Sequence, residues 1–201
     1  TASQVNAATG QTKNHSSSDH KVRLVSMQDD TMVEFDAMPE IGEQRTAEYE
    51  AVSASQMPGE FQKYKGTKST TWNINATLVA STRREAAQNY EFINRLRSWV
   101  MPYFGENQRG RMLGAPPPIL KVSGWRGVVG TVPTVLTSLN WQWPRDCDWI
   151  PISGEDEAVP FPTVINIQIT LTESFSAQQF NAFDLLAMSN GDMLAAFGGD
   201  Q

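Results

Sequence analysis

Apolar and polar positions alternate most strictly in two stretches of this chain. Over Thr71 to Ala80, Trp72, Ile74, Ala76, Leu78 and Ala80 fall on one side, and Asn73, Asn75, Thr77 and Val79 on the other, the two-residue period of a strand with one buried face. Thr163 to Thr172 repeats the pattern, with Ile165, Ile167, Ile169 and Leu171 opposed by Asn166, Gln168, Thr170 and Thr172. In a third run Val135, Thr137, Leu139, Trp141 and Trp143 share one face, and Thr134, Leu136, Ser138, Asn140 and Gln142 the other; unbroken parity puts the tryptophans on the core side. Val22 to Met27 and Met32 to Phe35, flanking Gln28-Asp-Asp30, predict a hairpin. Ile119 to Ser123 and Trp125 to Val129 predict two more strands, the first stiffened at its start by Pro116, Pro117 and Pro118.

The period changes from two to three or four after Ala80. Thr82-Arg-Arg-Glu85 has the spacing of a capping box, and Ala86, Tyr90, Ile93, Leu96, Trp99 and Val100 make a helical stripe that Pro102 ends. A second, short helix is expected from Ser176, with Phe180, Phe183, Leu186 and Ala187 as its stripe and Gly191 as its stop. Between Met38 and Thr71 the pattern is broken by Pro39, Gly42, Pro58, Gly59 and Gly66, which predicts extended segments and loops without long regular elements. Thr1 to Lys21 holds almost no large apolar side chain and cannot offset its ordering entropy alone. The expected organisation is a flexible arm over residues 1–21, a β domain over 22–175, and a C-terminal helix with a Gly-rich tail over 176–201.

Composition sharpens this reading. At 201 residues with 14 glycines and 11 prolines the chain suits one mainly β core and no helical bundle. A net charge of −6 argues against a dedicated nucleic-acid binder, which needs a basic surface to neutralise phosphate. The single Cys147 closes no intrachain disulfide, no apolar run approaches the roughly 20 residues that span a bilayer, and the first residues lack a signal-peptide core. No membrane partner and no cofactor are expected.

Catalytic readings find little support. The two histidines, His15 and His20, lie in the arm, where nothing rigid holds a base beside a nucleophile or completes a metal site. Asp146, Asp148, Glu155, Asp156 and Glu157 could pair carboxylates for glycoside hydrolysis, but polar turn duty accounts for them. Of six tryptophans, Trp72, Trp99, Trp141 and Trp143 fall on expected core faces, leaving Trp125 and Trp149 for a glycan platform or a subunit interface. Arg83, Arg84, Arg95 and Arg97 give the first helix a basic outer surface, either solvated or facing an acidic neighbour.

The three alternating runs share an uncharged polar face of Asn, Gln, Ser and Thr. Two readings stand: a moderately polar outer surface, or the wall of a channel along which a charged polymer slides without binding. Open sheet edges add a second use, since pairing between copies by a closing rotation merges sheets into a ring.

The order of blocks resembles a known family. It runs from Trp72 to Leu78, through Leu96-Arg-Ser-Trp-Val-Met-Pro-Tyr-Phe-Gly105, Leu113-Gly-Ala-Pro-Pro-Pro-Ile-Leu120 and Val132-Pro-Thr-Val-Leu136, to Trp143-Pro-Arg-Asp-Cys-Asp-Trp-Ile-Pro151 and Pro162 to Glu173. Over Phe61 to Ser176 this resembles the tail-tube initiator and tube-baseplate connector proteins of contractile-tail bacteriophages. The resemblance implies a twisted antiparallel β-sandwich or half-barrel with a flanking helix, in a hexameric ring that seeds tube polymerisation on the central baseplate hub of the virion. It implies no catalytic duty. Lumen-lining candidates are then Asn73, Asn75, Thr77, Ser138, Asn140, Gln142, Asn166, Gln168 and Thr170; subunit-interface candidates are Pro116, Pro117, Pro118, Trp125, Asp148 and Trp149. Implied partners are further copies of the chain, the tail-tube protein, the hub, a sheath initiator or tape-measure protein, and DNA only in passage. Another connector ring of the same tail and a glycan-binding baseplate sandwich are the alternatives.

Overall fold

The structure, a computed structural model, describes residues 3–5, 12–14, 21–53, 58–102, 115–124, 129–153, 158–191 and 196. His15, His20, Trp125 and most of the arm and Gly-rich tail lie outside them. Within the arm, β1 (Ser3–Val5) pairs antiparallel with β2 (Thr12–Asn14).

The expected mainly β, antiparallel fold with a flanking helix is present. Seven strands form one antiparallel sheet: β3 (Arg23–Ser26), β4 (Met32–Glu34), β5 (Glu40–Gln44), β8 (Thr71–Val79), β9 (Leu120–Gly124), β10 (Val129–Gln142) and β13 (Val164–Glu173), in the order β4-β3-β9-β10-β13-β8-β5. Two further hairpins stand apart from it, β6 (Ala47–Val52) with β7 (Phe61–Thr67), and β11 (Trp149–Ser153) with β12 (Ala158–Pro162). Leu24, Ile74, Leu120, Ile165, Ile169 and Leu171 are fully buried from this sheet. At the end of β9, Gly124 has φ +152°, and a Cβ there would lie 2.7 Å from the Lys21 carbonyl oxygen; only glycine allows β3 to start so close.

The helix α1 (Arg83–Val100) starts where the sequence places it. Thr82 accepts from Glu85 N and the Glu85 carboxylate accepts from Thr82 N, a complete capping box. Ala86, Ile93, Leu96 and Trp99 are buried, whereas Tyr90 stays half exposed, its ring edge-on to Phe161 of β12. Two side chains tie the helix to the sheet: Asn89 Nδ2 donates to the Val79 carbonyl (3.2 Å) and Arg95 Nη1 to the Met32 carbonyl (2.7 Å). These bonds reach the end of β8 and the β4 edge, and α1 also packs on β10 and β11, so the helix flanks the sheet.

The extended segments expected after Met38 are β5, β6 and β7; β6 and β7 are exposed on nearly every residue, so no apolar alternation marks them. Three expectations need correction. β10 carries a bulge at Thr137, where Leu136 pairs with Leu171 but Ser138 with Thr170. The extra residue switches parity: Val132, Thr134 and Leu136 are buried before it, and Leu139 and Trp141 turn inward after it. Thus Val135 and Thr137 leave the expected core face and Leu136 joins it. Trp143, expected in the core, is 47% exposed because β10 has ended at Gln142. Finally, the closing helix is two pieces, α2 (Ala177–Asn181), capped by Ser176 as expected, and α3 (Leu185–Ser189), and neither buries a residue. Gly191, at φ +84°, ends the second.

Candidate functional site

Register brings all nine neutral polar candidates together on one face. Across β8, β13 and β10, Thr77, Asn166 and Gln142 form one row, Asn75, Gln168 and Asn140 the next, and Asn73, Thr170 and Ser138 the third. The bulge makes the third column possible. Without the parity switch at Thr137, the residues after it could not face outward while Val132 to Leu136 pack inward as they do.

Neighbours across the rows satisfy each other. Thr77 Oγ1 donates to Asn166 Oδ1 (2.9 Å), and Thr170 Oγ1 to Asn73 Oδ1 (3.1 Å). Beside the bulge, Thr137 Oγ1 donates to the Thr170 carbonyl (3.0 Å). Amide and hydroxyl partners fix the side chains without fixed charge. At its β5 side the face ends in Glu40, opposite Asn75, whose Nδ2 donates to Glu40 Oε2 (3.4 Å). Asn75, Thr77, Asn140, Gln142, Asn166 and Gln168 line an open groove of about 540 Å³ together with Glu40 and Met38.

Charge gathers elsewhere on the sheet. Lys21 Nζ lies 2.7 Å from Glu34 Oε1, and Arg23 Nε lies 2.6 Å from Glu34 Oε2, at the β3–β4 end. The hydrogen bond from Lys21, then that from Arg23, holds the Glu34 carboxyl below its ordinary range. The sheet surface is therefore divided into a charged solvated end and an uncharged central panel.

The described interface candidates fall on different elements: Pro116, Pro117 and Pro118 precede β9, and Asp148 and Trp149 lie at the start of β11. Pro116 and Pro118 line a groove of about 510 Å³ with Arg95, Trp99 and the β3–β4 turn; Pro117 is half-buried. Asp148 is exposed, and its carbonyl accepts from Thr163 N (2.8 Å). Trp149 is half exposed and meets Trp143, which leans on Trp141. The rings stand at 40° for Trp141–Trp143 and 70° for Trp143–Trp149, so Trp143 and Trp149 offer no common flat face to a sugar chain.

One buried group escaped the sequence reading. Glu173 is 6% exposed; its Oε2 accepts from Thr70 N (2.9 Å) and its Oε1 lies 3.5 Å from Arg45 Nη2. The signal was present, since the alternation of Ile165 to Leu171 continues inward to Glu173. Among the described residues no cluster of His, Cys, Asp or Glu could hold a metal ion, and no helix is long and apolar enough to cross a membrane.

No protein-family model matches the chain, and no curated protein does. Among solved structures it is similar to a chain of the tail of an empty GTA particle with C6 symmetry, at TM-score 0.35 and 10% identity, over 81% of this chain and 96% of that one.

Proposed function

We propose that this chain is a structural, non-enzymatic protein of a contractile phage-type tail, in which copies form a hexameric ring with the β8–β13–β10 panel facing the channel. The observation that carries the proposal is the panel itself, nine aligned polar side chains without a charge. A wall of this kind offers DNA no counterion-releasing contact and so no salt-dependent grip. The Glu40 carboxylate at its margin adds repulsion in place of attraction.

The resemblance of the ordered blocks supports the finer reading, a ring seated on the central baseplate hub that initiates tail-tube polymerisation. Two features of the fold suit a ring subunit. Among the described residues the β5 edge has no paired neighbour in the sheet, and the β6–β7 hairpin projects with Tyr49, Phe61 and Tyr64 more than half exposed, although an isolated two-stranded ribbon is marginal in water. Both gain partners when copies meet. A glycan-binding baseplate module draws on the exposure of Trp143 and Trp149, but their mutual tilt gives it second place.

Electron microscopy of the purified chain, alone and mixed with tail-tube and hub proteins, tests the proposal. Sixfold rings with a central hole that nucleate tube growth are the expected result. A monomer that ignores those partners and binds a glycan array would overturn it.

A further inference from the structure

Apolar surface left over by the core lies at two places far apart on the chain. One is a groove of about 440 Å³ between the last turn of α1 and β10, walled by Val100, Met101, Leu139 and Trp141. Arg97 stands on its rim, with its guanidinium carbon 4.5 Å from the centre of the Trp141 ring. Met101 is 67% exposed there. The other place is α3. Ala187 and Met188 pack against the core, and Arg45 Nη1 reaches Met188 Sδ at 3.5 Å. That anchoring turns Leu185 and Leu186 outward, each 70% exposed.

The two places sit at opposite ends of the sheet. Trp141 pairs with Ile167, whereas α2 begins just after Glu173, which pairs with Thr134. Six residues of strand separate Ile167 from Glu173, about 20 Å. Their charges are complementary. From Ser174 to Gln201 the chain carries Asp184, Asp192 and Asp200 and no Lys, Arg or His. The α1 helix carries Arg83, Arg84, Arg95 and Arg97 against Glu85 and Glu91. An α3 turn carrying Asp184 with two outward leucines, and an apolar groove with Arg97 on its rim, are the two halves of a head-to-tail contact, in which different surfaces of identical subunits meet.

We infer that α3 of one copy docks in the α1–β10 groove of a second copy, with Leu185 and Leu186 entering between Met101 and Trp141 and Asp184 facing Arg97. The inference deepens the ring reading by naming a contact between neighbours, and it rests on that reading for self-association alone.

The test is a mixed cross-link in the full chain. In a Cys147→Ser background, Met101→Cys and Leu186→Cys are made separately, mixed and mildly oxidised, while sedimentation velocity follows association across concentration. The expected result is a disulfide dimer at least tenfold more abundant in the mixture than with either variant alone. Leu185→Asp with Leu186→Asp then weakens association at least tenfold, as does raised salt to a smaller degree. Association without the mixed disulfide overturns this contact and leaves the ring reading standing. A monomer at every concentration overturns both. A Met101→Cys/Leu186→Cys chain that closes on itself as a monomer shows that the groove holds the chain's own tail, and also overturns the inference. If the double aspartate variant fails to fold, the cross-link alone decides.

Discussion

At the scale of single residues, the group with most at stake is Glu173, a carboxylate taken out of water at the end of a core strand. Its Thr70 N–H contact and the Arg45 guanidinium offset the desolvation, and its Oε1 accepts no hydrogen bond among the described residues. Removing one partner of a buried pair costs about 3–5 kcal/mol when both are enclosed. The Arg45 side chain keeps 28% of its exposure, so water recovers part of the loss. Arg45→Ala is expected to cost about 2 kcal/mol in urea unfolding, and Arg45→Ala with Glu173→Gln to recover most of it. An unchanged midpoint for the single variant would mean that the 3.5 Å contact contributes nothing. The position of Glu173 was readable from parity, but its partner was not, because Arg45 lies in a stretch with no periodic signal.

Elements were legible in proportion to how one-sided they are. The strands β8 and β13 and the helix α1 each bury one face, so period and capping residues located them. β6 and β7 bury neither face, and their sequence resembles a loop. β10 misled for a different reason: its apolar and polar residues keep parity straight through Thr137, while the chain itself takes an extra step there. Deleting Thr137 removes that extra step and makes Leu136 and Ser138 consecutive opposite Leu171 and Thr170, so both halves of the strand keep their faces. The deletion loses the Thr137 hydrogen bond to the Thr170 carbonyl and should cost about 1 kcal/mol with cooperative thermal unfolding retained. Thr137→Val keeps the bulge, loses the same hydrogen bond, and should cost about as much; loss of cooperative unfolding in the deletion alone would show that the sheet needs the bulge itself. The β3–β4 hairpin adds a pH dependence. Glu34 is held below its ordinary 4.5 by Lys21 and then Arg23, so its contribution is present above that value and is lost as pH falls through the lowered one. Lys21 is raised above 10.5 chiefly by its hydrogen bond to Glu34, so its share is full below 10.5 and fades as pH rises further. Melting temperature followed from pH 7 to pH 3 should fall less steeply for Glu34→Gln than for the parent chain; parallel acid limbs would rule the pair out as a source of acid sensitivity.

For the whole molecule, the question is which way the uncharged panel faces in the proposed ring, and the nine candidates could be read off the sequence while their arrangement could not. Alternation placed each polar residue on a strand face, but only the pairing of β13 with both β8 and β10 aligns them in rows and sets Gln168 at the centre, between Asn75 and Asn140. A lysine there converts a wall that ignores phosphate into one that holds it. Each lysine that engages DNA should add about −0.9 to the slope of log affinity against log salt. Rings of Gln168→Lys protein, assembled and presented with DNA in a filter-retention assay, are expected to hold linear duplex at low salt and release it as salt rises. The topology of the probe then locates the lysines. A closed circle cannot thread a closed ring, so a lumenal panel predicts retention of linear DNA and little of circular DNA, whereas Gln88→Lys on the outer helix should treat the two alike. Equal retention of linear and circular DNA by Gln168→Lys rings would put the panel on the outside, and its neutrality would then have to be explained by a protein that covers it.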